Sequence, residues 1–141
     1  MNLELHATAE EVMRAVEALQ SFAKQNAVPD KIAFGLALAL EESASNIVNH
    51  AYQRDAAQIF HAAFECEDDR FVIELRDHGP AFNPLEAAPP DFAGDRNTRE
   101  LGGFGVHLIR HYIDDLHYAR EGGENVLRLT KVIATDERTD P

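Results

Sequence analysis

The sequence predicts a two-layer α/β (α+β) sandwich, a mostly antiparallel sheet with helices on one face. Three observations lead there. Apolar residues recur at helical spacing in two long N-terminal segments, at Val12, Val16 and Leu19 and again at Leu36, Leu40 and Ile47. Five short stretches alternate apolar and polar residues with period two. The order strand, helix, helix, strands, loop, helix, strands supplies more strands than the crossovers a parallel sheet requires.

Each element has a local cause. Leu3 and Leu5 alternate with Glu4 and His6, which predicts a short first strand. Thr8 with Glu11 three residues later is a capping box, and a helix over about 9–25 follows. Pro29 opens a second helix that runs to about Tyr52. Residues 59–67 form the next strand, with Phe60, Ala62 and Phe64 alternating against His61 and Ala63, and residues 71–76 the one after, Asp68-Asp69 turning between them. The run from Asp77 to Pro84, with one glycine and two prolines, cannot continue a strand. Residues 85–101 read as a long loop containing Pro89-Pro90 and Gly94; a loop of that length is expected to be functional or disordered. A helix over 106–113 follows, with Val106, Ile109 and Ile113 facing in. A final hairpin pairs 116–120 with 126–133 around Glu121-Gly-Gly-Glu124, and the polar residues after Ala134 are expected to fray. Residues 1–141 are expected to form a single domain.

Composition excludes several classes. A net charge of −12 argues against nucleic acid as a partner. The single Cys66 can form no internal disulfide and no cysteine metal pair, and is expected to be a buried strand thiol. The longest apolar run falls far short of a membrane span. Met1-Asn-Leu-Glu-Leu has neither the basic start nor the apolar stretch of a signal peptide, so a cytoplasmic location is expected.

The chemistry gathers in a few places. Glu42 and Asn46 sit four residues apart in a segment that otherwise reads as a buried helix, so both project from one face, and Asn49 continues the stripe. A carboxylate and amides on an apolar helix are costly without a partner, and a divalent cation carrying phosphate would supply one. Gly102-Gly103-Phe104-Gly105 leads from loop to helix, where backbone N–H groups can approach a phosphate; taken alone, glycines at such a junction are more often a plain turn. A P-loop is excluded because the lysines are Lys24, Lys31 and Lys131, none beside these glycines. The dinucleotide fingerprint is excluded because no strand precedes Gly102 and Leu108 stands where its third glycine belongs. Asp77 ends a strand just before Gly79: it can accept from an exocyclic amine such as that of adenine, or serve as an ordinary Asp turn. His107 and His111 have zinc-compatible spacing, but no Glu follows His107 and no third ligand is evident. His50 reads as a hydrogen-bonding core or rim residue.

In this order, these segments resemble the gyrase, heat-shock chaperone, histidine kinase and MutL (GHKL) ATPase superfamily, whose nucleotide site is the Bergerat fold. Within it the chain looks like the anti-sigma-factor serine kinases of the RsbW and SpoIIAB group. Glu42 to Tyr52 matches the N-box, Asp77 to Phe82 the first glycine box, Gly103 to Asp114 the second, and Asn125-Val-Leu-Arg-Leu the end of the site, so the similarity covers about residues 3–133. The resemblance implies that Glu42 is the general base and Asn46 the Mg²⁺ ligand, with Glu41 the competing base. It implies that Asp77 reads adenine above Gly79, and that Asn49, Phe82 and Asn125 complete the nucleotide contacts on that side. It makes residues 84–102 an ATP lid and gives Gly102, Gly103, Phe104, Gly105 and Val106 to the phosphates. Three positions depart from the pattern: Ala81 where many relatives have Gly, Asn125 where some have Thr, and Leu101 where some have Arg, with Arg96 and Arg99 nearby.

The expected activity is an ATP- and Mg²⁺-dependent protein serine/threonine kinase that phosphorylates a STAS-domain anti-anti-sigma protein. A sigma factor as alternate partner and a homodimer are implied by the same resemblance. The alternatives are an ATP-sensing switch that sequesters a partner without phosphorylating it, a histidine kinase catalytic domain, for which no helix with an acceptor His is read ahead of the N-box, and a plain structural α/β domain.

Overall fold

The computed structural model describes residues 1–83 and 109–133. Among these, five strands form one sheet: β1 (Asn2–His6), β2 (Ile59–Cys66), β3 (Arg70–Asp77), β4 (Asp115–Glu121) and β5 (Glu124–Val132). Their order is β1-β2-β3-β5-β4, and every neighbouring pair is antiparallel. Helices α1 (Ala9–Gln25) and α2 (Asp30–Asn46) cover one face, which gives the expected two-layer sandwich.

Period-two burial decides which face the helices cover. Phe60, Ala62 and Phe64 of β2, Phe71, Ile73 and Leu75 of β3, and Leu127 and Leu129 of β5 are buried, and they join Val12, Val16, Leu19, Leu36 and Leu40 in one core. The opposite face is polar: Glu74 lies 2.8 Å from Arg76 and 2.9 Å from Arg128. An antiparallel sheet tolerates such a solvated face because no crossover helix has to cover it.

The turns follow from local chemistry. The Thr8 hydroxyl accepts from Glu11 N (3.2 Å) and caps α1. Glu11 completes the expected box differently, its Oε1 accepting from His6 N (3.2 Å) rather than from the cap residue. At the other end of α1, Ala27 N and Val28 N donate to the carbonyls of Lys24 and Ala23, a Schellman closure with Ala27 in the left-handed region at φ 57°. Gly122 (φ 56°) and Gly123 (φ 81°) make the tight β4–β5 turn, where two positive φ values match the twist of the strands.

The sequence reading is corrected in three places. Pro29 is the N-cap of α2, not its first residue, and the acidic Asp30 takes the first helical position. The α-helix does not run unbroken to Tyr52: it ends at Asn46, and Ile47–Ala51 form a π-helical turn closed by Tyr52 N donating to Ile47 O (2.9 Å). A π turn widens the helix by one residue and rotates the side chains beyond it; Ile47, Val48, Ala51 and Tyr52 are thereby all buried. Cys66 is only half-buried, because β2 ends there, at the margin of the core.

Residues 109–112 are helical, and Ile109 and Ile113 are buried as expected. Gly35 makes room for Tyr112: a Cβ at Gly35 would lie 2.6 Å from the Tyr112 ring. Among the described residues no helix is long and apolar enough to cross a membrane.

Candidate functional site

The alternation that buries Phe71, Ile73 and Leu75 carries Asp77 inward with them, to 4% exposure. The register sets Asp77 beside Phe60 of β2 and Asn125 of β5, with Arg120 of β4 next in the row. Asp77 Oδ1 accepts from Gly79 N (2.9 Å) and from Asn125 Nδ2 (2.9 Å). Among the described residues its Oδ2 accepts no hydrogen bond from the protein. Burial pushes the Asp77 carboxyl above its usual range, opposed by the hydrogen bonds from Asn125 and Gly79 and by the charge of Arg120. Among the described residues one oxygen is therefore fixed and the other accepts from no protein donor.

Gly79 is required by close approach. A Cβ there would meet Ala51 Cβ at 2.8 Å, Asp77 Oδ1 at 3.0 Å and Ala51 O at 3.1 Å. Tyr52 ties the same two segments together: its hydroxyl accepts from His78 N (2.7 Å) and donates to Ile59 O (2.8 Å).

Asn125 spends its polar atoms within the protein. Its Oδ1 accepts from Phe82 N (3.3 Å), Arg120 (3.1 Å) and the Tyr118 hydroxyl, and its Nδ2 donates to Asp77 and to Pro80 O (2.9 Å). Arg120 also donates to Gly79 O (2.7 Å). This network holds the segment after β3 and one oxygen of the Asp77 carboxylate.

Asp77 and Asn125 line a small cleft with Tyr118, Leu127 and Phe82; Ser43, Asn46, Ile47 and Ala51 form the helical wall. Ser43, Asn46 and Ile47 share one face of α2 and its π extension by their i, i+3, i+4 spacing. Apolar walls with a few converging polar groups are the usual make-up of a small-molecule site. Asn46 is half-buried and its side chain has no hydrogen-bond partner among the described residues. Glu42, one turn earlier, is half-buried; desolvation raises its carboxyl above the ordinary value, and the charge of Glu41 adds to the rise.

Glu42, Asn49 and His50 of the N-box do not line the cleft. Asn49 is exposed, its Oδ1 accepts from Arg54 Nε (3.2 Å), and it is not among the residues lining the cleft. The π turn that begins at Ile47 rotates it off the Glu42–Asn46 stripe. His50 is half-buried at the rim and stacks on Phe82, with ring centroids 6.2 Å apart and planes at 23°.

The residues fit a magnesium–nucleotide complex better than a protein-held metal. Among the described residues no cluster of three or more His, Cys, Asp or Glu forms. Mg²⁺ characteristically takes one or two protein oxygens and completes its shell with phosphate and water, so the Asn46 amide oxygen, unpaired among the described residues, is the kind of ligand it needs.

Several sequence-predicted residues lie outside the described residues: Gly102, Gly103, Phe104, Gly105 and Val106, the lid over 84–102 with Arg96 and Arg99, His107, and the tail from 134. Conversely, sequence reasoning missed Ser43, Tyr118 and Arg120. For Tyr118 and Arg120 the period-two pattern of the last hairpin carried the signal, since both share the face of Leu116; the register that brings them to Asp77 did not show.

Comparison with known proteins agrees with this geometry. Residues 5–131 match the family model of the histidine kinase-like ATPase domain. The serine/threonine-protein kinase BtrW of Bordetella bronchiseptica is 30% identical over 128 residues, covering 91% of this chain and 90% of that protein. The serine-protein kinase RsbW of Bacillus mycoides is 31% identical over 104 residues, covering 71% of this chain and 64% of RsbW. The fold is shared with a chain of the SiaB–SiaC complex from Pseudomonas aeruginosa (TM-score 0.62, 13% identity, 94% of this chain and 89% of that one). It is also shared with the RsbU and RsbW domains of a Mycobacterium tuberculosis protein (TM-score 0.62, 15% identity, 94% of this chain and 32% of that one). The chain belongs to the histidine kinase-like ATPase family, in the branch that holds the serine/threonine-protein kinases BtrW and RsbW.

Proposed function

We propose that this chain is a protein serine/threonine kinase of the anti-sigma regulatory type, using Mg·ATP to phosphorylate a small STAS-domain partner. The observation that carries the nucleotide half is Asp77: a buried carboxylate with one oxygen held by Gly79 and Asn125 and the other without a partner among the described residues, beside a glycine that leaves no room for a side chain. Such an acceptor suits the exocyclic amine of adenine, and burial makes its loss costly.

In the transfer step the hydroxyl oxygen of the partner bonds to the γ-phosphorus, the bond to the β-phosphate oxygen breaks, and ADP leaves. The hydroxyl proton passes to Glu42, whose half-buried carboxylate is more basic than an exposed one. Asn46 would hold the magnesium, which when bound would neutralise phosphate charge. Kinship with BtrW and RsbW supports the protein-kinase reading over simple ATP hydrolysis. A sigma factor held in alternation with the STAS partner, and a homodimer of this chain, belong to the same proposal.

The test incubates the purified chain with Mg²⁺, γ-labelled ATP and a STAS-domain protein encoded beside it. Label on a serine or threonine of the STAS protein is the expected result. Tight ATP binding with no label on that protein would overturn the kinase reading and leave a nucleotide-dependent binding switch.

A further inference from the structure

The wall of the cleft contains a polar group with no part in the phosphoryl transfer. Ser43 is 1% exposed, and its hydroxyl has no hydrogen-bond partner among the described residues. It is the one buried side-chain polar atom of the described residues in that position. A helical serine ordinarily returns its hydroxyl to the carbonyl four residues back; Ser43 does not. Its immediate neighbours in the cleft wall are one turn away on the same face: Asn46 and the apolar Ile47. Asp77 faces this wall from the sheet. A hydroxyl left unpaired in such a place is destabilising unless whatever fills the cleft completes it.

We infer that the Ser43 hydroxyl is a nucleobase-reading group, bonding a ring nitrogen of the purine directly or through one ordered water, beside the amine contact of Asp77. This rests on the nucleotide reading of the cleft. The two contacts are complementary. Asp77 can only accept when ionised and so selects an amine, whereas a hydroxyl can donate to an unprotonated ring nitrogen. Together they specify a donor beside an acceptor, the pattern of the adenine Watson–Crick edge and the reverse of the guanine one.

The experiment is calorimetry of the full chain and of Ser43→Ala with Mg·ATP and with Mg·purine riboside triphosphate, which keeps the ring nitrogens and lacks the amine, alongside thermal melting without nucleotide. The expected result is a loss of about three- to tenfold in affinity for both nucleotides. The unliganded variant should melt at or above the wild-type temperature, because the substitution removes an unpaired hydroxyl. Unchanged affinity for ATP would overturn the inference. So would a loss confined to ATP, which would mean that Ser43 acts through Asp77, or a lowered melting temperature with unchanged affinity, which would make the hydroxyl structural. A wild-type chain that binds neither nucleotide would overturn the nucleotide reading itself.

Discussion

Replacing Asp77 by Asn changes one atom of the cleft wall. The amide oxygen can take the place of Oδ1 and keep both bonds, from Gly79 N and Asn125 Nδ2, each 2.9 Å in the native protein. The amide nitrogen then stands where Oδ2 was and presents a donor to the donor amine of adenine. Losing a hydrogen bond to a charged acceptor costs about 1.5–3 kcal/mol, or roughly ten- to a hundredfold in ATP affinity. Stability should move the other way. Burial raises the folded-state pKa of Asp77 above its ordinary value of 3.8. Its contribution is therefore favourable below that value and is lost as pH rises through the folded pKa. At pH 7 the neutral amide escapes this penalty, so Asp77→Asn should melt no lower than wild type. Calorimetry with Mg·ATP and a melting curve at pH 7 check both halves. Equal ATP affinity in the two proteins would remove Asp77 from the site. Weaker binding together with a large drop in melting temperature would show that the variant had collapsed the wall instead of changing one contact.

Three further outcomes follow from the same geometry. Asn46→Ala should weaken ATP binding in the presence of Mg²⁺ and leave the weaker metal-free binding unchanged in EDTA; an equal loss in both buffers would mean Asn46 does not serve the metal. Gly79→Ala should abolish measurable ATP binding and destabilise the fold by about 1–3 kcal/mol, because its Cβ would meet Ala51 at 2.8 Å and the Asp77 carboxylate at 3.0 Å; denaturant titration reads the second effect. Ala27→Gly, far from the cleft, should stabilise the protein by about 0.5–1 kcal/mol by relieving the left-handed φ of 57° at the end of α1, without altering ATP affinity.

The sheet and its helices were legible because their signals are local. Thr8 marks the start of α1 at the observed residue, Asp68-Asp69 and Gly122-Gly123 mark the hairpin turns, and the alternation Phe71, Ile73, Leu75 fixes the buried face of β3. The same alternation predicts that Asp77 points inward. The part that stayed hidden is what Asp77 meets there. Asn125 reaches it through the β3–β5 register, between strands far apart in sequence, and brings its hairpin partner Arg120 with it; no local pattern sets the β3–β5 register. The π turn at Ile47–Ala51 was hidden for a related reason: nothing in Ile47-Val-Asn-His-Ala51 breaks a helix, and the widening becomes visible only with Ala51 packed against Gly79 and Tyr52 bonded to Ile59 and His78. That is also why Asn49 reads as part of the functional stripe in sequence and stands beside Arg54 in space.

The central claim, that Glu42 takes the proton in a phosphoryl transfer supported by the Asp77 cleft, is tested most directly by single-turnover transfer from Mg·ATP to the STAS partner by wild type and Glu42→Gln across pH. The amide keeps the shape of the carboxylate and should leave Mg·ATP affinity within about twofold while slowing transfer by about 10²–10⁴-fold. Because burial, aided by Glu41, raises the Glu42 carboxyl, the wild-type rate should fall on the acid side at a pH above its ordinary 4.5, and that limb should vanish in the variant. Transfer by Glu42→Gln at the wild-type rate, with the acid limb intact, would contradict the account and make Glu41 the residue to test.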